Sequence, residues 1–363
     1  MSGRKFFGSY NLSDLHCLLV PGEFAETGVA EKEDRIQLGA RHYSEMLGPE
    51  SVPDSQYLEP FEDELARNRR RLALDILRLA GLIAGKHAGA FTLVSLNRAG
   101  TPVGALLARV LRSRWRKQVS HYSISVVIGR GVDARALDWI RAQAGHLDER
   151  VVFVAGWTAK GVIQRELRRA ITQYNDQRDA RLDATFHVVC DLCGATAAAS
   201  SVEDYLIPSA LLGALVSGLV SRSVLDENAL RGVTFHGCRY YEELAPHDQT
   251  NRFLDEVALE QFDRDEPMPG TLLSRDMEQE QANSRKRLDA TLSLLEVDSD
   301  SLVKPGIAEA TRVLLCRVPR TVAVRSRQDE DVAHILHLSR LKGVTVRIEP
   351  ELGWRPVATL GAA

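Results

Sequence analysis

The sequence predicts an α/β fold: a mostly parallel sheet with helices on both faces, followed by a small C-terminal α/β unit. Three observations carry that expectation. Between residues 90 and 220, short apolar runs alternate with stretches of helical spacing, the pattern of a parallel sheet buried on both sides. Two junctions in this region, Asn97-Arg98-Ala99-Gly100-Thr101-Pro102-Val103-Gly104 and Ala155-Gly156-Trp157-Thr158-Ala159-Lys160-Gly161, place small residues, a hydroxyl and a cation where a strand passes into a helix. A second, shorter alternation begins near residue 303, after an acidic stretch.

At 363 residues the chain exceeds the usual size of one core, so one large and one small domain are expected. Apolar residues at 44% and charged residues at 26% are ordinary for a globular protein. The formal charge of −3 excludes a chain that is basic overall, but it conceals local contrast. Basic residues crowd 67–78 and 109–117, while 255–280 is acid-rich, and from residue 303 ten basic residues outnumber six acidic ones. The five cysteines are odd in number and scattered, which fits a reducing cytoplasm better than a disulfide framework. No apolar run has signal-peptide or membrane-spanning length, so a cytoplasmic protein with no membrane partner is expected.

Taken in order, residues 1–60 are broken by Pro21-Gly22, Gly48-Pro49 and Pro53, with a short helix around 42–46. From 60 to 88, Leu65, Leu72, Ile76, Leu79 and Ile83 recur at helical spacing, and Arg69-Arg70-Arg71 lies opposite as a solvated face. Strands are expected at 90–96, 120–128, 151–155 and 186–190, alternating with helices at 102–111, 133–145, 162–174 and an apolar one at 208–220. A last short strand is expected at 233–236. The domains are then 1–252, an acidic helical connector at 253–302, and 303–363. The last of these is expected to hold helices at 307–317 and 329–341 and strands at 321–324, 344–348 and 357–360.

In a parallel sheet, ligands gather beyond the carboxyl ends of the strands, and both junctions lie there. Gly100 permits a tight turn and close approach, Thr101 is placed to cap the helix, Pro102 suits its first position, and Arg98 forks two phosphate oxygens. Gly104 completes the motif. In the second junction Lys160 is a point charge, Thr158 a hydroxyl donor and Gly161 the close-approach position. Trp157 either stacks on a planar group or plugs the sheet edge. Arg130, in Gly129-Arg130-Gly131, offers another cation. Two such turns imply a ligand with two phosphate groups, because unpaired helix-start amides and the helix dipole both favour anions.

Cys190-Asp191-Leu192-Cys193 follows the fourth strand without a second ligand pair at zinc spacing, so no metal site is expected. Asp191 is a candidate for ribose hydroxyls or Mg2+. Cys193, with His236 as its base, is a candidate nucleophile, against the plainer alternative of a buried thiol and a structural imidazole.

These residues resemble type I phosphoribosyltransferases: 97–104 looks like the pyrophosphate loop and 151–161 like the loop for 5′-phosphate and ribose. Where that family has an acidic pair this chain has Ala155-Gly156, and Ala159 replaces the usual glycine. More specifically, the chain looks like a bacterial group associated with tellurium resistance and stress, also bearing the name cysteine protease StiP. His42-Tyr43-Ser44-Glu45-Met46, His121-Tyr122-Ser123, Gly156-Trp157-Thr158, Tyr205-Leu206-Ile207-Pro208-Ser209, the run from Val216 to Arg222 and Phe235-His236-Gly237 carry that match. The group combines a phosphoribosyltransferase-like domain with a Pelota RNA-binding domain.

Lys304-Pro305-Gly306-Ile307-Ala308-Glu309-Ala310-Thr311-Arg312 looks like the helix start by which L7Ae-like and Pelota domains meet RNA, with Ala308 at the usual Asn position. The resemblance therefore implies RNA contacts at Lys304, Gly306, Glu309 and Arg312. It also implies a phosphorylated ribose or nucleotide as ligand, with Mg2+ accompanying a phosphoribosyl substrate. The name implies a cysteine hydrolase as the alternative, and a non-catalytic nucleotide or RNA sensor is the third reading.

Overall fold

The computed structural model of the chain describes residues 5–38, 42–50, 52–144, 148–225, 234–260 and 276–361. Along it come β1 (His16–Cys17), β2 (Val20–Pro21), α1 (Val29–Gln37), α2 (Ser55–Lys86), β3 (Phe91–Asn97) and α3 (Gly100–Ser113). Then follow β4 (Val119–Val127), β5 (Gly131–Val132), α4 (Ala134–Ala144), β6 (Val151–Thr158), α5 (Val162–Arg178), β7 (Phe186–Asp191) and β8 (Ala199–Ser201). After β9 (Gly237–Cys238) come α6 (Thr250–Ala258), α7 (Met277–Leu295), β10 (Val303–Pro305) and α8 (Ile307–Cys316). The described chain closes with β11 (Pro319–Val324), α9 (Ala333–Leu341), β12 (Thr345–Ile348) and β13 (Pro356–Leu360).

The large sheet runs β1-β4-β3-β6-β7-β8, every neighbouring pair parallel, with β5 antiparallel on the end of β4. Its centre is apolar because both faces are covered. On β6, Val152 and Val154 enter the cluster under α2 and α3, whereas Val151, Phe153 and Ala155 face the cluster that includes Leu137, Ile140, Leu167 and Ile171 of α4 and α5. That alternation is the period of two that a pleated strand imposes. The expected strands and helices between 90 and 190 are all present, with β6 reaching Thr158, so that Ala155, Gly156 and Trp157 are strand residues rather than loop.

Residues 208–220 do not form the expected apolar helix. They make two 3-10 turns, Pro208–Ala210 and Gly213–Val216, and Gly213 and Gly218 adopt φ of +56° and +77°. A side chain at Gly213 would lie 2.5 Å from Glu50 Oε2. The run is apolar because it is buried, and short apolar runs do not distinguish buried turns from buried helix. Of the short strand expected at 233–236, residue 233 lies outside the described residues, and pairing occurs instead at β9, beside β2.

The small unit is a four-stranded sheet in the order β10-β13-β11-β12, with only β11 and β12 parallel. It does not stand apart. Ile307, Ala310 and Leu314 of α8 and Ile335 and Leu338 of α9 belong to the same buried cluster as Leu72 and Ile76 of α2. Polar contacts reinforce the union: His334 Nδ1 meets Glu64 Oε1 at 3.2 Å, Arg67 donates to the Glu330 carbonyl at 2.7 Å, and His337 Nε2 to that of Gln56 at 2.9 Å. The boundary expected at residue 252 falls inside α6, whose Phe253, Leu254 and Val257 are buried in the large unit's core. At the other end of the expected connector, Leu288 and Leu295 of α7 cluster with Leu352, Trp354 and Val357 of the small unit.

Candidate functional site

The junction residues expected at the site lie at the carboxyl ends of β3, β4, β6 and β7. At the first junction the Asn97–Arg98 peptide bond is cis. Asn97 Nδ2 donates to the Ser221 carbonyl and to Ser223 Oγ, at 3.1 and 3.2 Å. Arg98 forms an ion pair with Glu50, whose other oxygen accepts the Ala214 amide at 3.1 Å. Burial opposes the charge on Arg98, but Glu50 more than offsets it and holds the guanidinium above its ordinary pKa.

The other residues of that junction pack. Thr101 is inside the helix rather than at its cap, and its hydroxyl lies 2.8 Å from Ser123 Oγ. Gly100 makes room for the neighbouring strand, since a Cβ there would sit 2.9 Å from the Val154 carbonyl oxygen. A Cβ at Gly104 would sit 2.3 Å from His121 Nε2. His121 itself bridges Ser95 Oγ at 2.9 Å and the Asp14 carbonyl at 2.8 Å, and burial brings its pKa down to about 4.

At the second junction Thr158 Oγ1 accepts the Gly161 amide at 3.0 Å, and Gly161 takes φ +66° to start α5. Trp157 is half-buried against the core, the sheet-plugging alternative. Lys160 Nζ reaches out to the Asp300 carbonyl at 2.5 Å, and burial lowers its pKa. Arg130 pairs with Glu45 at 2.7 Å.

Asp191 is committed to its own loop. Its Oδ1 accepts the Cys193 amide and its Oδ2 the Thr196 amide, each at 3.0 Å, and the residue is 1% exposed. It does not fit a Mg2+ or ribose holder. Among the described residues no group of three His, Cys, Asp or Glu stands in metal-binding arrangement. The Cys193 thiol is buried beside that carboxylate, at 3.4 Å, and burial followed by the Asp191 charge pushes it up to about 12. His236 stands on Ser125 Oγ at 2.8 Å, next to β4, with its pKa lowered by burial. Strands β3 and β6 lie between β4 and β7, so the two residues are roughly 14 Å apart by strand spacing alone. The structure does not bring Cys193 and His236 together.

What it does bring together are cations from both units. Glu309, at the start of α8, carries Arg312 at 2.8 Å, and Lys304 and Lys160 also act on it electrostatically, so that against burial its pKa is lowered. Farther along α8, Arg98, Arg222, Lys32 and Arg312 all lie in electrostatic range of Cys316. Arg222 donates to the Tyr43 carbonyl at 2.6 Å and to that of Met46, and burial lowers it to about 10. Gly306, expected at an RNA surface, is instead buried with φ +85°, and a Cβ there would press on Leu192 Cδ1 at 2.8 Å. Sequence reasoning singled out neither Lys32, Glu50, Asp204, Arg222 nor Cys316 as site residues: Lys32 lies in α1, Cys316 at the far end of α8 and the others in irregular segments.

Fold and site thus define an α/β protein in which Lys160, at the end of the large sheet, and the Arg312–Glu309 pair of the small unit come into electrostatic range of one another. Residues 8–258 match the family described as tellurite-like stress resistance cysteine protease StiP, and residues 282–360 match the PELOTA RNA binding domain. The chain belongs to the StiP family. It is 33% identical over 353 residues to "Cysteine protease StiP" of Acinetobacter baylyi, covering 95% of this chain and 91% of that protein. Two solved structures of hypoxanthine phosphoribosyltransferase from Trypanosoma cruzi, one of them a mutant, are distantly similar. The first is 14% identical over 50% of this chain and 93% of its own, with a TM-score of 0.27. The second is 17% identical over 56% and 93%, with a TM-score of 0.26. At those scores the likeness carries no argument. No described helix is long and apolar enough to cross a membrane.

Proposed function

We propose that the cations gathered between the sheet edge and α8 bind a phosphorylated ribose or nucleotide, as a phosphoribosyltransferase-like site in which fixed cations stabilise departing pyrophosphate. The observation that carries this reading is the meeting of Lys160, from the sheet edge, with Lys304 and Arg312, from the small unit, around Glu309. Lys304 has Glu309 only as an electrostatic neighbour and Lys32 has no ion pair among the described residues, and burial with neighbouring cations brings each down to about 8. Such crowding of like charge is costly without an anion. Mg2+ has no place at Asp191 in this reading, because both carboxylate oxygens serve the loop. Calorimetric titration with phosphoribosyl pyrophosphate and with 5′-mononucleotides tests it. Heat of binding that Lys160→Ala and Lys304→Ala diminish is expected, and no heat with any of these ligands, with or without Mg2+, overturns it.

A cysteine hydrolase is the second reading, favoured by the relative's name. Cys193 with His236 would then need a rearrangement that exposes the thiol and closes the gap across two strands. Cys316 is the one exposed cysteine of the five.

A further inference from the structure

We infer that Glu50 is a built-in competitor. It occupies a seat for one anionic group of the ligand, made of the Arg98 guanidinium, the Ala214 amide and Gly213, and binding there requires its displacement. The inference deepens the reading above, on which it rests for taking phosphate as that group.

Direct contacts define the seat. One Glu50 oxygen pairs with Arg98, and the other accepts the Ala214 amide at 3.1 Å. Gly213, at φ +56°, leaves the space, since a Cβ there would lie 2.5 Å from Glu50 Oε2 and 3.2 Å from Oε1. A forked cation, a backbone N–H and a glycine that admits an oxyanion are the parts of an anion cradle. A carboxylate needed only to neutralise Arg98 requires neither the amide nor the glycine. The seat stands just past β3, at the carboxyl end, where ligands of such sheets gather. The side chains of Arg98 and Glu50 are 19% and 21% exposed, so solutes reach the pair.

The segment that carries Glu50 covers a second strand-end cation in the same way. Glu45 pairs with Arg130 at 2.7 Å, past the end of β4. Strands β3 and β4 are neighbours, with Asn97 opposite Ser125, so the two cations follow adjacent strands. The backbone of the segment is fixed before Glu50 is reached. Arg222 holds the carbonyls of Tyr43 and Met46, Leu225 donates to that of Ser44 at 2.9 Å, and Thr27 to that of Leu47 at 2.7 Å. Met46 and Leu47 are buried. The Glu50 carboxylate can therefore leave the seat while residues 43–47 stay in place.

Calorimetry and thermal unfolding of the full chain test this with inorganic phosphate, and with acetate as the carboxylate counterpart, against chloride at equal ionic strength. Glu50→Gln keeps the shape and removes the charge. It is expected to bind phosphate about tenfold tighter than the parent, the factor by which a tethered group seated about nine times in ten weakens its competitor. Glu50→Asp, which draws the carboxylate back by one methylene, should fall between the two, and it carries the test if the Gln variant does not fold. Arg98→Lys in the folded variant should diminish the gain. Unchanged or weaker phosphate binding overturns the inference, as does a gain that Arg98→Lys leaves intact. A gain with acetate alone overturns phosphate as the group. Phosphoribosyl pyrophosphate that binds the parent and the Glu50 variant equally overturns this inference and leaves the earlier reading standing. A phosphate gain in a chain that binds no phosphoribosyl or nucleotide ligand supports the seat and removes the earlier reading.

Discussion

Asp204, in the segment after β8, accepts the Ile307 amide at 2.8 Å and so caps, from the large unit, the first helix of the small one. The carboxylate is buried in doing so, and burial pushes it up to about 6 although the Ile307 amide pulls the other way. The cap and the union of the two units are thus the same contact.

Its pH signature has a definite sign. An unfolded aspartate releases its proton near pH 3.8, and the folded one near 6, so between those values the folded chain holds more protons. Asp204 therefore costs stability as pH rises through that window, and the cost persists above it. Asp204→Asn keeps an acceptor for the amide and removes the charge. It should be more stable than the parent at pH 7 by roughly 2 kcal/mol, with the difference shrinking toward pH 4. Urea unfolding at the two pH values checks this, and a variant less stable at pH 7 refutes it.

Gly306 joins β10 to α8 at φ +85° and ψ 156°, a region that side chains rarely enter. Gly306→Ala should cost about 1–3 kcal/mol from backbone strain, increased by the approach to Leu192. Chemical denaturation measures it. A neutral substitution would mean that this junction is not held as described.

Glu64 on α2 meets His334 on α9 and also accepts from Asn68 Nδ2 at 2.8 Å, with neither Glu64 nor His334 more than 3% exposed. His334 Nε2 lies 2.9 Å from Thr311 Oγ1, which ties α8 into the same network. Glu64→Ala strands these groups, and losses of about 3–5 kcal/mol are usual for breaking a buried pair. Calorimetry should show the whole chain melting at lower temperature in one transition, because the core is shared. Two separate transitions in the parent protein would contradict that core.

Lys32 and Lys304 lie near 8, against an ordinary value of 10.5. Between those values the unfolded chain holds more protons, so these two lysines let stability rise with pH across that window. Binding of an anion runs the other way: it favours the charged lysines, so affinity should fall as pH rises past 8, with proton uptake on binding. Calorimetry at pH 8 in buffers of different ionisation enthalpy reads that uptake directly. Proton release would mean that the anion does not contact these lysines.

Iodoacetamide separates the thiols. Cys316 is exposed and should be alkylated in the folded chain, whereas Cys193, with its thiol at about 12, should stay unlabelled at pH 8 until the protein unfolds. Fast labelling of Cys193 in the native chain would restore it as a nucleophile.

Much of the fold was legible in residues 90–190 because a doubly covered parallel sheet writes a short, mostly apolar run for each strand and an amphipathic pattern for each helix. The 208–220 segment was misread for a related reason: a buried turn is as apolar as a buried helix, and only the backbone angles at Gly213 and Gly218 separate them. At the site, Arg98 and Lys160 were recognisable as cations at strand ends, and Lys304 and Arg312 through the resemblance to an RNA-binding helix start. Lys32 was not, since nothing in its neighbours along the chain marks it, and Arg222 was legible only as the end of a matching run, not as a site residue.

The order of strands and helices, the cationic junctions and the basic C-terminal unit were determined by the sequence alone, because each depends on residues close together in the chain. Which of those cations come within electrostatic range of one another, which glycines serve packing, and whether Cys193 ever meets His236 were decided by tertiary structure. Those relationships depend on strand order and on the burial of α8 in the core it shares with α2, and neither leaves a periodic trace in the amino acids that take part.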